Sequence, residues 1–431
     1  MTESPTEYFR VRPGSPLEGE IKVSGATKNS GLKQLAAAIL APGVSVFHNM
    51  PPVIDAGVMI EVMRALGATV EWIGPETLEV DTGGDLVPEA PYELVSRMRA
   101  SINVLGPLLG RCGSARVALP GGDAIGSRRL DMHIKGLEAM GAEARIEHGF
   151  IEARASVLRG ARIVLEFPSV GATENLMTAA VLAKGKTVID NAAREPEITA
   201  LSTYLTRMGA QITGAGTSTI EIEGVNELVP VEAELMADRI EAGTLLMACG
   251  IAGGEISLIG PRLEHIEMLT LKLGAMGMKV SPTADGIWAF SRGRPKAVDI
   301  ATLPHPGFAT DFMPTAVSLA AVSCGNAIIT ENLFDGRFGF AAELCRMGAD
   351  IRTEGRHAVV RGVPRLSGCP VQATDVRAGA ALVLAGLAAD GETEVHDVVH
   401  VDRGYRDLPG SLAALGADVT RVSAGSSSAV R

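Results

Sequence analysis

Aromatic side chains are scarce in this chain, 4% of its 431 residues, so its cores must be packed with small apolar residues rather than ring clusters. Cysteine is sparse too. The five cysteines, Cys112, Cys249, Cys324, Cys345 and Cys369, form no CxxC pair and no metal-type spacing with the eight histidines. They read as reduced core thiols of a cytoplasmic protein, with no disulfide framework and no metal. Positive charge is in deficit, 39 Lys and Arg against 50 Asp and Glu for a formal net charge of -11. That argues against nucleic acid as a partner, because phosphate backbones are held by excess cations. Long apolar runs are missing as well: "LLMACGIAGGEISLIG" is broken by a Glu and several glycines, which argues against a membrane span. The leading "TESPTEYFRVRPG" has neither the basic start nor the apolar run of a signal peptide.

What the chain does have is a repeat. "MRALGATV", "LEAMGAEARI", "LTRMGAQITG", "LGAMGMKVS", "LCRMGADIRT" and "LAALGADVTR" each end a helix-like pattern on Leu or Met, then Gly, then a β-like run. A glycine just past the last apolar position is a left-handed helix stop. These glycines, Gly67, Gly141, Gly209, Gly277, Gly348 and Gly416, recur at intervals of 68 to 74 residues, a period too long for a solenoid. Within each unit short β-rich runs alternate with helices, so the class is α/β. Helices such as "NLMTAAVLAKG" and "AGAALVLAGLAA" lack a polar face, which predicts domains that hide helices inside sheets. A chain of this length exceeds one ordinary core. The six units divide three and three, with a junction near "VNELVPVEAELMADRI".

Loops on a rigid scaffold are where binding groups are displayed. "VSGATKNSGLK" offers Lys28 and Asn29 at the entry to a helix, a place suited to an anion and also to a solvated cap. "MRASINVLGP" supplies Arg99, "HPGFATDF" Asp311, "NLFDGRF" Arg337 and "VDRGYRD" Arg403, while "GGDAIGSRRLD" sets Asp123 in a glycine-rich loop before Arg128, Arg129 and Asp131. Neither the P-loop pattern nor the dinucleotide glycine spacing is met. Taken singly, each charge reads as a structural ion pair. Together, four or five arginines and a lysine face two turn acids in an acidic protein. That balance points to a small, multiply charged anion held between two domains, with Asp123 and Asp311 left for proton transfer.

In order along the chain, "KN" after a Gly-Ala turn, "RASINVLGPL", "LPGGDAIGSR", "SVGATEN", "NAAREPEI", "DRIEAGT", "RPKAV", "HPGFATD", "ENLFDGRF" and "DRGY" resemble the enolpyruvyl transferase family, in its UDP-N-acetylglucosamine 1-carboxyvinyltransferase branch. The resemblance spans essentially the whole chain. It implies a two-domain inside-out α/β barrel of six similar units. Family chains start and end in one domain, so residues 1–27 and 235–431 are expected to form domain I and 28–234 domain II, which carries the catalytic loop 120–131. It further implies transfer of the enolpyruvyl group of phosphoenolpyruvate to the 3-hydroxyl of UDP-N-acetylglucosamine, through a tetrahedral intermediate and with loss of phosphate. That is the opening step of peptidoglycan precursor synthesis, and it needs neither a metal nor a redox cofactor.

By the same resemblance Asp123, at a loop position that usually holds cysteine, is the general acid, and Asp311 is the base. Lys28, Arg128 and Arg403 match the cations on phosphoenolpyruvate, Lys28 and Arg403 counting among the catalytic groups, with Arg99 and Arg337 in support. Asn29, Arg128, Arg129, Leu130, Asp131, the Ser169-Val170-Gly171 turn, Asp311 and Leu333 match positions that hold the nucleotide sugar. Because a carboxylate is far less nucleophilic than a thiolate, Asp123 predicts resistance to fosfomycin, an epoxide that alkylates the loop thiol. The chain departs from the family twice: Thr27 is an extra residue in the usual Gly-Ala-Lys-Asn, and Arg129 stands where proline is common. The acceptor therefore stays open between UDP-N-acetylglucosamine and another nucleotide such as UMP, and a non-catalytic binder of nucleotide sugars is a third reading. Tyr405 and the histidines, His305 and His400 included, read as packing or surface residues.

Overall fold

The computed structural model describes residues 7–123, 125, 126 and 130–423. Two compact units emerge from its contacts. Of the described residues, the terminal unit comprises 7–24 and 237–423 and takes in Ile125 and Gly126; the inserted unit comprises 25–123 and 130–236.

Each unit contains three four-stranded sheets of one topology, in which an edge strand runs parallel to its neighbour and the remaining two strands are antiparallel. In the inserted unit, for example, Arg162–Val164 lies parallel to Lys186–Asp190, which pairs with Thr219–Glu223, and that strand with Gln211–Thr213. The parallel pair needs a crossover. A helix supplies it between the paired strands in five repeats: Leu105–Cys112 and Val170–Ala180 in the inserted unit, and Arg239–Ala252, Met313–Ala321 and Val376–Gly386 in the terminal unit. In the sixth, Leu32–Ala37 takes the equivalent place before Val44–His48, whose parallel partner Glu232–Glu234 comes from the far end of the inserted unit. A second helix then leads into the hairpin, and there the repeat glycine acts: all six adopt positive φ, from 88° to 111°.

Strands alternate between buried and exposed residues, as in His357–Arg361, so one sheet face meets water and the other meets the crossover helices. Those helices are the core. Every residue of Met313–Ala321 and of Val376–Gly386 is buried, the arrangement their missing polar faces predict. Small residues let the backbones approach closely: a Cβ on Gly106 would stand 2.3 Å from Asn175 O on the neighbouring helix. This close packing of alanine and glycine takes the place of the absent aromatic clusters. The fold is the two-domain inside-out α/β barrel of six similar units that the sequence implies. Among the described residues no helix is long and apolar enough to cross a membrane.

Candidate active site

In the inserted unit the chain enters its first crossover helix through one wide π-helical turn, Thr27–Gly31, which carries Lys28 and Asn29, both half-buried. The Lys28 ammonium pairs with the Asp55 carboxylate, which is buried in the first turn of helix Ile54–Ala65. Lys33 Nζ donates to the carbonyls of Lys28 and Asn29 at 2.9 and 3.2 Å and closes the turn. Arg99 opens the turn Arg99–Val104 that leads into the second crossover helix. Ser169 caps the third, its Oγ accepting from Ala172 N–H at 3.3 Å. Ser169, Val170 and Gly171 thus form the N-terminus of an 11-residue helix, where the dipole and backbone N–H groups favour an anion.

The inserted unit also holds a buried polar cluster of Asn103, His133, Glu174 and Asn175. Asn175 Oδ1 accepts from Gly106 N–H at 2.9 Å, and its amide donates to Ile102 O at 3.2 Å and to His133 Nδ1 at 3.0 Å. The histidine proton therefore sits on Nε2. Burial and then the Arg99 charge push His133 down to about 4, against a smaller opposing effect of Asp131, so the ring is neutral. Asn103 donates to Glu174 at 2.6 Å. Burial drives that carboxyl up to about 7 despite Lys33 and Asn103.

Asp123 is half-buried, and the segment just before it is seated closely, since a Cβ on Gly121 would fall 1.7 Å from Ser96 O. Leu130 precedes helix Asp131–Ala139, and Asp131 lies 3.9 Å from Lys135 one turn on. Arg128 and Arg129 lie outside the described residues.

In the terminal unit Asp311 sits in the turn Thr310–Phe312 that starts the Met313–Ala321 helix. Its carboxylate, 31% exposed, accepts from Arg337 Nη2 at 3.0 Å and lies 3.6 Å from Arg377 Nη2. Burial opposes ionisation there, but Arg377, Arg337 and Arg239 outweigh it and hold Asp311 well below the usual carboxylate range. All three arginines are buried. Arg239 and Arg377 occupy the first turns of the other two crossover helices, capped by Asp238 and Asp375. The Tyr405 hydroxyl lies 2.8 Å from Thr244 Oγ1, and its ring stands 5.3 Å from the Arg377 guanidinium. Buried Arg337 Nε meets no acceptor among the described residues, which leaves it donor capacity for an anion. Fully buried Glu331 accepts from Thr310 Oγ1 at 2.7 Å and from Leu333 N–H at 2.7 Å, tying the Leu333 loop to the Asp311 turn. Arg403, half-buried, ends the short helix Val399–Asp402.

A sequence profile of the family described as EPSP synthase (3-phosphoshikimate 1-carboxyvinyltransferase) matches residues 11–412. The UDP-N-acetylglucosamine 1-carboxyvinyltransferase of Corynebacterium jeikeium is 53% identical over 96% of this chain and 99% of its own. The chain belongs to the enolpyruvyl transferase family. The protein of the same name from Mycolicibacterium paratuberculosis is 52% identical with the same coverage. Among solved structures, the enolpyruvyl transferase NikO from Streptomyces tendae matches with a TM-score of 0.86 at 28% identity, over 97% of this chain and 99% of its own.

Sequence reasoning passed over several groups that the enolpyruvyl transferase fold brings to these places: Asp55, Asn103, His133, Glu174, Asn175, Arg239, Arg377 and Tyr405. One signal was available for four of them. Arg239 and Arg377 stand in the first turns, and Glu174 and Asn175 in the second turn, of helices otherwise too apolar to be exposed, and a polar group there must find a buried partner.

Proposed function

We propose that this enolpyruvyl transferase moves the enolpyruvyl group of phosphoenolpyruvate onto the 3-hydroxyl of UDP-N-acetylglucosamine, releasing phosphate, as the first committed step of peptidoglycan precursor synthesis in the cytoplasm. The observation that carries this reading is identity above one half, over nearly the whole chain, with proteins named for that reaction, against 28% with NikO. In the addition step the sugar O3 bonds to C2 of phosphoenolpyruvate, the O3 proton passes to Asp311, and Asp123 delivers a proton to C3. In elimination a C3 proton passes to the Asp123 carboxylate left by the addition step, the double bond re-forms and the C2–O bond to phosphate breaks.

Asp311 suits the acceptor role because its arginines keep it ionised; its low basicity fits proton transfer that accompanies O3–C2 bond formation rather than preceding it. Lys28, Arg99, Arg128, Arg337 and Arg403 take the phosphate and carboxylate, with Lys28 and Arg403 stabilising charge that develops on the intermediate. Asn29, Arg128, Arg129, Leu130, Asp131, the Ser169–Gly171 turn, Asp311 and Leu333 hold the nucleotide sugar. The test is phosphate release from phosphoenolpyruvate with UDP-N-acetylglucosamine, UMP or shikimate 3-phosphate as acceptor, and Asp123→Ala as control. Turnover with the nucleotide sugar alone, lost in the variant, is expected. Turnover only with UMP moves the enzyme to another acceptor, and nucleotide-sugar binding without phosphate release makes it a binding protein.

A further inference from the structure

Thr27, the residue by which this chain exceeds the family's Gly-Ala-Lys-Asn, does not loop out. It is 1% exposed and opens the π-turn Thr27–Gly31. Gly31 N–H donates to Ala26 O at 2.9 Å, and Leu32 N–H reaches Thr27 O. Both bonds span five residues, and that spacing accommodates one residue more than an α-helical turn. The turn is held tightly at both ends. A Cβ on Gly25 would stand 1.7 Å from Asn49 O, and one on Gly31 2.7 Å from Leu235 Cδ1, so the extra residue has no room to relax outward.

Thr27 and Lys28 reach the same short segment. Thr27 Oγ1 donates to Pro51 O at 3.2 Å, and the Lys28 ammonium pairs with Asp55, four residues further on. Pro51 is itself buried and fixed, its carbonyl also accepting from Val53 N–H at 2.9 Å. From the other side Lys33 Nζ holds the carbonyls of Lys28 and Asn29. Two successive side chains therefore pin the turn to the start of helix Ile54–Ala65, one through a neutral hydrogen bond and one through the charge.

We infer that Thr27 is a positioning residue for Lys28: its buried hydroxyl anchors the widened turn to Pro51 and so sets where the ammonium stands relative to the anionic substrate. The inference rests on the reading that Lys28 holds phosphoenolpyruvate. Valine at this position keeps the shape and loses the bond. Thr27→Val is expected to raise KM for phosphoenolpyruvate about tenfold, on the scale of one lost buried hydrogen bond. It should leave kcat within about threefold and KM for the nucleotide sugar within about twofold, and Thr27→Ser should restore the first KM.

The decisive measurement is a double-mutant cycle. Because Thr27 acts through Lys28, Thr27→Val should add nothing in a Lys28→Ala background. An unchanged KM for phosphoenolpyruvate in Thr27→Val, equal rises in both KM values, or a full additional loss on top of Lys28→Ala each overturns the inference. If Thr27→Val does not fold, Thr27→Ala is read by the same criteria. Lys28→Ala alone separates the two levels. Should it leave phosphoenolpyruvate kinetics untouched, the role given to Lys28 fails; should it impair them while Thr27→Val stays silent, only the role of Thr27 fails.

Discussion

Where its crossover helices begin, the terminal unit gathers Asp311 with Arg239, Arg337 and Arg377, whereas the inserted unit gathers Glu174, Asn103, Asn175 and His133. The scaffold is the same, and the dielectric problem is solved in two ways. Buried charge is tolerated when it is paired, and here Asp311 sits among three buried arginines, one of which, Arg377, also feels Asp238. In the inserted unit the cluster of Glu174, Asn103, Asn175 and His133 has a neutral imidazole and a carboxyl that holds its proton up to about 7. Its charged candidates, Lys28, Arg99 and Asp123, are half-buried. Similar places in a repeated fold thus carry unlike electrostatics, an ionised carboxylate among arginines in one unit and a neutral imidazole beside a proton-holding carboxyl in the other.

Turnover breaks this comparison most directly. Asp311→Asn keeps the size of the side chain but removes the proton acceptor, so kcat for phosphate release should fall by about 10³-fold, within the range for a lost general base. Glu174→Gln, the matching change in the inserted unit, should stay within about threefold of the parent. Equal losses would mean that both layers take part in the chemistry, and the distinction would be void.

The loop acid sharpens the comparison from another side. The native enzyme should keep its activity after prolonged incubation with fosfomycin, because Asp123 offers a poor nucleophile to the epoxide. Asp123→Cys should become sensitive, with a mass increment on that residue equal to the intact inhibitor. Covalent inactivation of the native enzyme mapped to Asp123 would sink the assignment.

The fold was legible in the sequence because its two determinants are local. A glycine closing each repeat forces a left-handed stop, and a helix without a polar face has to be buried. Asp311, Arg337 and Lys28 could be singled out as charges at turns, and the structure brings Asp311 and Arg337 into contact. What sets their environment was not legible. Asp55 stands 27 residues from Lys28, and Arg377 lies far along the chain from Asp311 in a stretch that reads as apolar core. Thr27 shows the same limit on a smaller scale: the sequence reveals an extra residue, while its absorption in a π-turn depends on Pro51, Asn49 and Leu235, none of them a neighbour in the chain.

Protonation gives the next, smaller effect. Folded Glu174 titrates at about 7, against an ordinary 4.5, so between those values the folded chain keeps a proton that the unfolded chain has lost. Stability therefore falls as pH rises through that window, by roughly 3 kcal/mol at about 1.4 kcal/mol per unit. Glu174→Gln should match the parent near pH 4.5 and gain on it steadily to pH 7, read as the difference in urea midpoints. His133, at about 4 instead of 6.5, acts in the opposite sense and loses stability as pH falls between those values. The difference curve isolates Glu174 because His133 is common to both proteins, and a flat curve would remove the neutral layer from the comparison.

The smallest effects belong on the outer sheet faces, where the two units should become indistinguishable. Lys186 and Glu221 pair at 2.7 Å across neighbouring strands of the inserted unit, and Arg361 and Asp350 at 3.6 Å across those of the terminal unit. All four side chains are at least 44% exposed, so water and salt screen the attraction while two long side chains lose freedom to make it. Lys186→Ala and Arg361→Ala should each shift stability by less than about 0.5 kcal/mol, with no change in KM for either substrate. A larger loss in only one unit would show that the asymmetry extends outward through its sheets. Equal, near-zero values would confine it to the helix starts, where water is excluded and a single charge decides what a neighbouring group can do.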